Sequence, residues 1–184
     1  EDLSLLQHRI DTRRAPESKP LRNAVLNLRV DVRPRTRTTH NVIGIVPGRD
    51  PALAREAVVI GAHYDHLGMG GYGTGSLQPD TVAIHNGADD NASGVAAILS
   101  IGAELARNKH LLKRSVIIVA FSAEEEGLLG SRYFVNEPPV ALEKIKLMIN
   151  LDMVGRLNED EEFYVGGCGT FVQGVPLLDS LKNN

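Results

Sequence analysis

The sequence contains a single cysteine, Cys168, among its 184 residues. One cysteine excludes an intrachain disulfide and any cysteine-rich zinc site, and it leaves the redox compartment undecided. A metal ion in this protein would therefore have to be held by histidine and carboxylate side chains.

Long apolar runs and an excess of positive charge are also missing from the sequence. No apolar run approaches the roughly 18 residues that span a bilayer, so we predict no membrane-spanning segment. The formal net charge is -3, from 20 Lys and Arg against 23 Asp and Glu. Because there is no basic surplus, we predict no nucleic acid partner.

The chain length suits one domain with a substantial core, and we predict a single domain over residues 1–184. Residues 1–20 are expected to form a helical and linker lead-in, since Leu3, Leu6 and Ile10 precede the polar stretch DTRRAPESKP. The segment AVLNLRVDV alternates as a half-buried strand does, and NVIGIVPG predicts a second strand that ends at a Pro-Gly turn.

Three apolar runs without alternation follow, namely AVVIGAH (57–63), SVIIVAF (115–121) and KLMINLD (146–152). Continuous runs of this kind suit strands that are buried on both faces of a sheet. Helical patterns lie between them, over residues 91–107 and 127–137. Strands that alternate with helices predict an α/β fold, a three-layer α/β/α sandwich with a mixed, largely parallel central sheet.

Histidine and acidic side chains lie where each of these three runs ends, and two more acids precede the long helix. These residues are His63, Glu124, Glu125, Asp152, Asp89 and Asp90. In open α/β sheets ligands bind outside the carboxyl ends of the strands, so we expect these groups to converge in one cleft.

Converging carboxylates repel one another by roughly 1 to 4 kcal/mol per close pair, and a divalent metal removes that cost. Carboxylates and histidine without cysteine suit a catalytic zinc site. The number of acids exceeds what one zinc ion needs, which indicates two metals that share a bridging carboxylate.

Four blocks carry these residues: VVIGAHYDHLG, NGADDNASG, AFSAEEEGLLGS and INLDMVGR. In this order they resemble the signature blocks of the di-zinc exopeptidases related to bacterial leucyl aminopeptidases. The same family holds glutamate carboxypeptidases and glutaminyl cyclases, and the resemblance covers roughly residues 40–157. It implies a peptidase-like catalytic domain, a zinc aminopeptidase that hydrolyses N-terminal bonds of a peptide substrate.

The resemblance also implies a role for each candidate residue. His63, Asp90 and Asp152 hold one zinc ion, and Asp90 bridges to a second zinc that Glu125 also holds. Glu124 is the general base that activates a metal-bound water. The peptide bond that follows Asp90 is implied to be cis.

Other residues near these blocks have less definite roles. The resemblance implies that Asp65 supports His63 without touching the metal. The sequence does not decide whether His66 and His85 have an ordinary structural role or contact metal or substrate. For Asp89 the sequence does not decide between a helix cap and a residue that supports the metal ligands.

Glu126 and the glycine-rich stretch GMGGYGTGSLQPD (68–80) complete the neighbourhood of the blocks. Glu126 is expected to face solvent. The sequence does not decide whether the glycine-rich stretch is a flexible connector or a mobile rim over the cleft.

The resemblance leaves the substrate class open as well. A glutaminyl cyclase or a carboxypeptidase on the same scaffold is an alternative, and so is a non-catalytic binding domain. The resemblance implies an exported bacterial protein, periplasmic or secreted.

A second metal-binding histidine follows the LDMVG block in this family, whereas no histidine follows His110 here. We therefore expect a C-terminally truncated catalytic domain that holds one zinc ion or none, where the whole family member holds two, and has little or no activity alone. Its sheet would be incomplete at the C-terminal side, and the uncovered surface would be open to self-association.

Overall fold

A computed structural model of the chain describes residues 2–18, 20, 25, 27–33, 36–157, 159 and 162–182. The chain divides into two compact units, Glu1–Arg37 and Thr38–Asn184. The first unit contains α1 (Leu3–Arg13), which confirms the predicted helix near the start of the chain. Asp2 caps α1, because its carboxylate accepts a hydrogen bond from the backbone N–H of Ser4 at 2.9 Å.

The strand predicted from AVLNLRVDV is wrong for residues 25 and 27–32, and the rest of that segment lies outside the described residues. The described part of the segment has no strand conformation. Its apolar side chains are exposed, with 76% of the surface of Leu28 and 79% of that of Val32 accessible. Alternation of apolar and polar residues shows that a segment could bury one face. Such a segment forms a strand only where a sheet edge is available to pair with it.

The second unit is built on a four-stranded sheet. Its elements are β1 (Val42–Val46), β2 (Ala57–His63), α2 (Gly94–Arg107), β3 (Ser115–Phe121), α3 (Leu129–Asn136), β4 (Ile145–Asn150) and α4 (Gly174–Lys182). The strand order is β1-β3-β2-β4, with β1 antiparallel to β3 and the other pairs parallel. The mixed, largely parallel sheet is therefore confirmed.

Helices pack on both faces of the sheet. On one face, Gly102 of α2 approaches β3 so closely that a Cβ there would lie 3.3 Å from the side chain of Ile118. The ring of Phe121 meets the ring of Phe134 in α3 edge-on, with 5.7 Å between centroids. Positions 118 and 121 point to opposite faces of a strand, so α2 and α3 lie on opposite sides of β3, as a three-layer sandwich requires.

The core on the α3 side consists of buried apolar side chains from β2, β3 and α3. Its fully buried members are Ala57, Val59, Ile117, Val119, Phe121 and Phe134. Complete burial of a large apolar side chain contributes about 1.5–3 kcal/mol, so this cluster is a main source of stability for the sheet. Among the described residues, no helix is long and apolar enough to cross a membrane.

The three parallel strands bring their carboxyl ends to one edge of the sheet. His63 is in register with Phe121, and Gly61 with Asn150. The backbone N–H of Leu151 continues the pairing by donating to the carbonyl of Gly61 at 2.9 Å. The segments that leave β2, β3 and β4 therefore start side by side.

Candidate metal centre

His63, Asp90 and Asp152 form one cluster at this edge. His63 is the last residue of β2 and its side chain is only 3% exposed. Its Nε2 atom lies 3.2 Å from Oδ1 of Asp90 and 3.5 Å from Oδ1 of Asp152. Ligands with bonds of about 2.0–2.2 Å around a tetrahedral zinc lie about 3.3–3.6 Å apart. Both histidine–carboxylate distances are close to this spacing, and ligand atoms of the three residues all lie within 4.8 Å of one another, so the cluster could hold a zinc ion.

The ring of His63 is held by a backbone contact. Its Nδ1 lies 3.0 Å from the carbonyl oxygen of Asp65, and because a carbonyl can only accept, Nδ1 carries the proton. Nε2 is thereby directed at the carboxylates. Burial disfavours protonation most strongly, but the hydrogen bond to Asp65 and the charges of Asp152, Glu124 and Asp90 outweigh it and raise the pKa of His63. The same negative field would attract a metal cation to Nε2.

The carboxylate of Asp65 forms its hydrogen bonds with the turn that carries the glutamates. Its Oδ1 accepts from the backbone N–H of Glu124 at 3.0 Å, and its Oδ2 accepts from that of Glu125 at 3.2 Å. The distance from Oδ1 to Nδ1 of His63 is 3.8 Å, too long for a hydrogen bond. The contact of Asp65 with His63 is thus made by its backbone, while its side chain holds the turn that carries the two glutamates.

The three adjacent glutamates have different surroundings. Glu124 and Glu125 are half-buried, whereas Glu126 is exposed, as expected. Burial is the largest cause that raises the pKa of Glu124; the charges of Glu125 and Asp152 raise it further and that of His63 opposes them. A carboxylate with a raised pKa is a stronger proton acceptor, which is the property required of a general base near neutral pH.

A second cluster joins His66, Asp90 and Glu125. Nδ1 of His66 lies 2.8 Å from Oε1 of Glu125 and 3.8 Å from Oδ2 of Asp90. The ring of His85 stands edge-on to that of His66 with 6.1 Å between centroids, but His85 belongs to neither three-residue cluster found in the described part of the chain. Of the two histidines that the sequence left open, only His66 reaches the acidic residues.

Asn91, which the sequence interpretation missed, holds the segment that carries Asp152. Asn91 is buried, and its Nδ2 donates to the carbonyl of Leu151 at 3.0 Å. Its Oδ1 accepts from the backbone N–H groups of Gly94 at 3.0 Å and Met153 at 3.3 Å. These contacts bracket Asp152 and fix it relative to Asp90.

Asp89 ties the same two segments together and lies in neither cluster. Its Oδ1 accepts from the backbone N–H of Gly155 at 2.9 Å, and its Oδ2 accepts from Nε of Arg156 at 3.1 Å. Asp89 is therefore a structural residue of the centre. The neighbouring Asp90–Asn91 peptide bond is cis, as the resemblance implies.

Asn41, also missed, brackets the turn that carries the glutamates. Its Oδ1 accepts from the backbone N–H of Ser122 at 3.1 Å, and its Nδ2 donates to the carbonyl of Gly130 at 2.8 Å. A Cβ at position 130 would lie 2.5 Å from Oδ1 of Asn41, so only glycine allows this approach. A hydrogen bond of 2.5 Å between the hydroxyls of Thr39 and Ser122 adds to the attachment.

A cleft of about 720 Å³ opens beside the second cluster, within the size range of small-molecule sites. Asp90 and Glu125 line it, and so do five residues of the glycine-rich stretch, namely Gly73, Thr74, Gly75, Leu77 and Gln78. Gly73 and Gly75 have φ angles of +79° and +80°, which glycine adopts without strain. The glycine-rich stretch thus forms a rim of the cleft, and its mobility stays a prediction.

Comparison with known proteins finds similarity to peptidases, both in a family profile and in single relatives. Residues 41–174 match the sequence profile described as Peptidase family M28. The chain is 32% identical over 152 residues to a "probable leucine aminopeptidase 2" of Aspergillus oryzae, covering 82% of this chain and 27% of that protein. It is 34% identical over 131 residues to leucine aminopeptidase 2 of Trichophyton rubrum, covering 71% of this chain and 22% of that protein. The chain thus spans about a quarter of the length of the curated relatives it matches.

Among solved structures, the chain is similar to a Zn-dependent exopeptidase from Parabacteroides distasonis. The identity is 28% and the TM-score is 0.49, and the match covers 62% of this chain and 41% of the other.

Proposed function

Because this chain belongs to peptidase family M28, we propose that it is the zinc-dependent catalytic part of an aminopeptidase, which hydrolyses the N-terminal bond of a peptide. The observation that carries the proposal is the convergence of His63, Asp90 and Asp152 at zinc-ligand spacing, with Glu124 beside them. Relatives described as leucine aminopeptidases support the aminopeptidase activity and a leucine substrate.

The zinc ligands in this proposal are Nε2 of His63 and carboxylate oxygens of Asp90 and Asp152, which leaves a coordination position open for catalysis. Zinc bound there supplies a Lewis acid that lowers the pKa of water and polarises a carbonyl group. The hydrogen bond from Nδ1 of His63 to the backbone of Asp65 orients the ring for this role.

Glu124 is the proposed general base. Its carboxylate is close enough to His63 and Asp152 for their charges to affect its pKa, yet it belongs to neither group of metal-ligand candidates in the described residues. It would accept a proton from the attacking water as the carbon–oxygen bond forms. The same carboxyl group would then protonate the departing amine as the peptide bond breaks, so the proton count balances.

The carboxylates of the centre give a physical reason for an N-terminal substrate. A peptide with a free α-amine presents an ammonium group next to the scissile carbonyl. A carboxylate at the centre can pair with such a cation. The leucine aminopeptidases among the similar proteins favour an aminopeptidase over a carboxypeptidase.

A substrate panel with a metal assay tests the proposed function. We would load the protein with zinc and follow hydrolysis of leucine p-nitroanilide, N-acetyl-leucine p-nitroanilide, a peptide blocked at its N-terminus and a glutaminyl peptide. We expect zinc-dependent release from the free-amine anilide alone, even if its rate is low. Cleavage of the blocked peptide would support a carboxypeptidase, and cyclisation of the glutaminyl peptide would support a glutaminyl cyclase.

A further inference from the structure

We propose that His66 is the third protein ligand of a second zinc ion, together with Asp90 and Glu125. This inference rests on the proposed function, because Asp90 would join the second ion to the first. The resemblance supplies only two carboxylates for the second ion and expects a histidine later in the chain. His66 would complete the set of three protein ligands that a catalytic zinc usually has.

The positions of the donor atoms support this assignment. Nδ1 of His66, Oδ2 of Asp90 and Oε1 of Glu125 offer one imidazole nitrogen and two carboxylate oxygens. Ligand atoms of these three residues lie within 4.8 Å of one another. The histidine–glutamate distance of 2.8 Å needs to open by only about half an ångström to reach the 3.3–3.6 Å expected for two ligands of one zinc ion.

Asp90 is oriented as a bridging carboxylate would be. Its Oδ1 lies 3.2 Å from Nε2 of His63, whereas its Oδ2 lies 3.8 Å from Nδ1 of His66. The two oxygens of one carboxylate thus face two different imidazoles. In two-metal sites the ions lie about 3.5–4 Å apart, a separation that such a carboxylate can span.

The fold also gives the ring of His66 a defined place. Its side chain is only 20% exposed, and that of Glu125 is 21% exposed, so neither is a freely rotating surface group. The ring packs against Gly87, where a Cβ would lie 2.8 Å from Cγ of His66. Gly87 therefore leaves the space in which the ring points its Nδ1 at the carboxylates. An ion pair between His66 and Glu125 without any metal is the competing explanation.

Zinc stoichiometry of variants separates the two explanations. We would dialyse the folded protein against buffered zinc and measure bound metal by elemental analysis for wild type, His63→Ala, His66→Ala and His85→Ala. His85 is the matched control, because its ring adjoins that of His66 but belongs to neither cluster. We expect about two zinc ions in wild type and His85→Ala, and about one in each of the other two variants.

X-ray absorption at the zinc edge counts the imidazole ligands of zinc in the wild type. This measurement does not depend on whether any variant folds. With both sites filled, His63 and His66 together give an average of about one imidazole per zinc ion. An average of about one half would overturn the role of His66, as would a His66→Ala variant that retains as much zinc as wild type. Either result leaves the first zinc ion in place, whereas absence of zinc from the wild type would refute the proposed function itself.

Discussion

At the scale of single residues, Asp90 has the most demanding position in the centre, because its two oxygens face two imidazoles. We predict that Asp90→Ala loses both zinc ions, since each would keep only two of its three proposed ligands. Asp152→Ala should lose only the ion that His63 holds. Elemental analysis of both variants checks this, and equal zinc content in the two would contradict a shared role for Asp90.

Glu124 provides a second test at this scale, because its proposed task is proton transfer and not metal binding. We predict that Glu124→Gln retains its zinc but loses about 10²–10⁴-fold in kcat, the usual contribution of a general base. Glu143→Gln is the matched control, because its side chain is exposed and does not line the cleft, so it should change kcat far less. Zinc content and leucine p-nitroanilide kinetics measure both effects. Near-normal turnover of Glu124→Gln would refute the assignment.

The residues that the sequence predicted and those that it missed differ in the kind of signal they leave. His63 and Asp152 stand at the ends of apolar runs, so their pattern indicated a shared sheet edge. His66 has no such position, and only the fold places its ring over Glu125. Asn91 was missed because amide contacts with backbone groups leave no periodicity or charge pattern in a sequence.

At the scale of elements, the buried strands were the most predictable part of the fold. β2 and β3 occupy the predicted runs 57–63 and 115–121, since continuous apolar segments of seven residues suit a strand covered on both faces. β4 ends at Asn150, which leaves Asp152 beyond the strand. Residues 25 and 27–32 show the limit, because strand formation there depends on a pairing partner that the sequence does not reveal.

Asn41 joins the segment before β1 to the turn after β3, and it carries a prediction about stability. Asn41→Ala removes two hydrogen bonds and leaves backbone groups of Ser122 and Gly130, both buried, without these partners. We expect the free energy of unfolding to fall by about 1–3 kcal/mol, as for other buried polar groups left unsatisfied. Urea denaturation at constant zinc concentration measures the loss.

The control for this variant is Asn136→Ala, at an exposed position at the end of α3. A surface substitution of this kind usually changes stability by no more than about 0.5 kcal/mol. If Asn41→Ala were as stable as this control, the attachment of the turn by Asn41 would not contribute to folding. A lower kcat in Asn41→Ala with unchanged zinc content would further indicate that the attachment positions Glu124.

At the scale of the whole molecule, no single segment contains the metal centre. His63 ends β2 and His66 follows it, Asp90 precedes α2, the glutamates follow β3, and Asp152 follows β4. These groups meet only after the parallel strands have paired, because the shared edge exists only in the folded sheet. Metal binding should therefore be coupled to folding, with affinity for the native state and little for the unfolded chain.

This coupling predicts how stability depends on zinc. Without metal, the folded state must hold several carboxylates close together; with zinc, their repulsion becomes attraction. A ligand that binds only the native state stabilises it by RT ln(1 + [L]/Kd), about 2.7 kcal/mol at a free concentration of 100 Kd. For a chain of this length, 1 kcal/mol corresponds to about 2–4 °C in Tm, so zinc should raise Tm by about 5–11 °C.

Thermal unfolding in buffered zinc, in magnesium at the same ionic strength and in a chelator tests this coupling. Tm should keep rising with the logarithm of free zinc above Kd, because mass action does not saturate. Magnesium should have little effect, since it prefers an octahedral oxygen shell that a histidine-containing site does not offer. The slope should be shallower in Asp152→Ala, which lacks a ligand of the first ion. Equal Tm values in zinc and in chelator would mean that folding does not assemble a metal centre at this sheet edge.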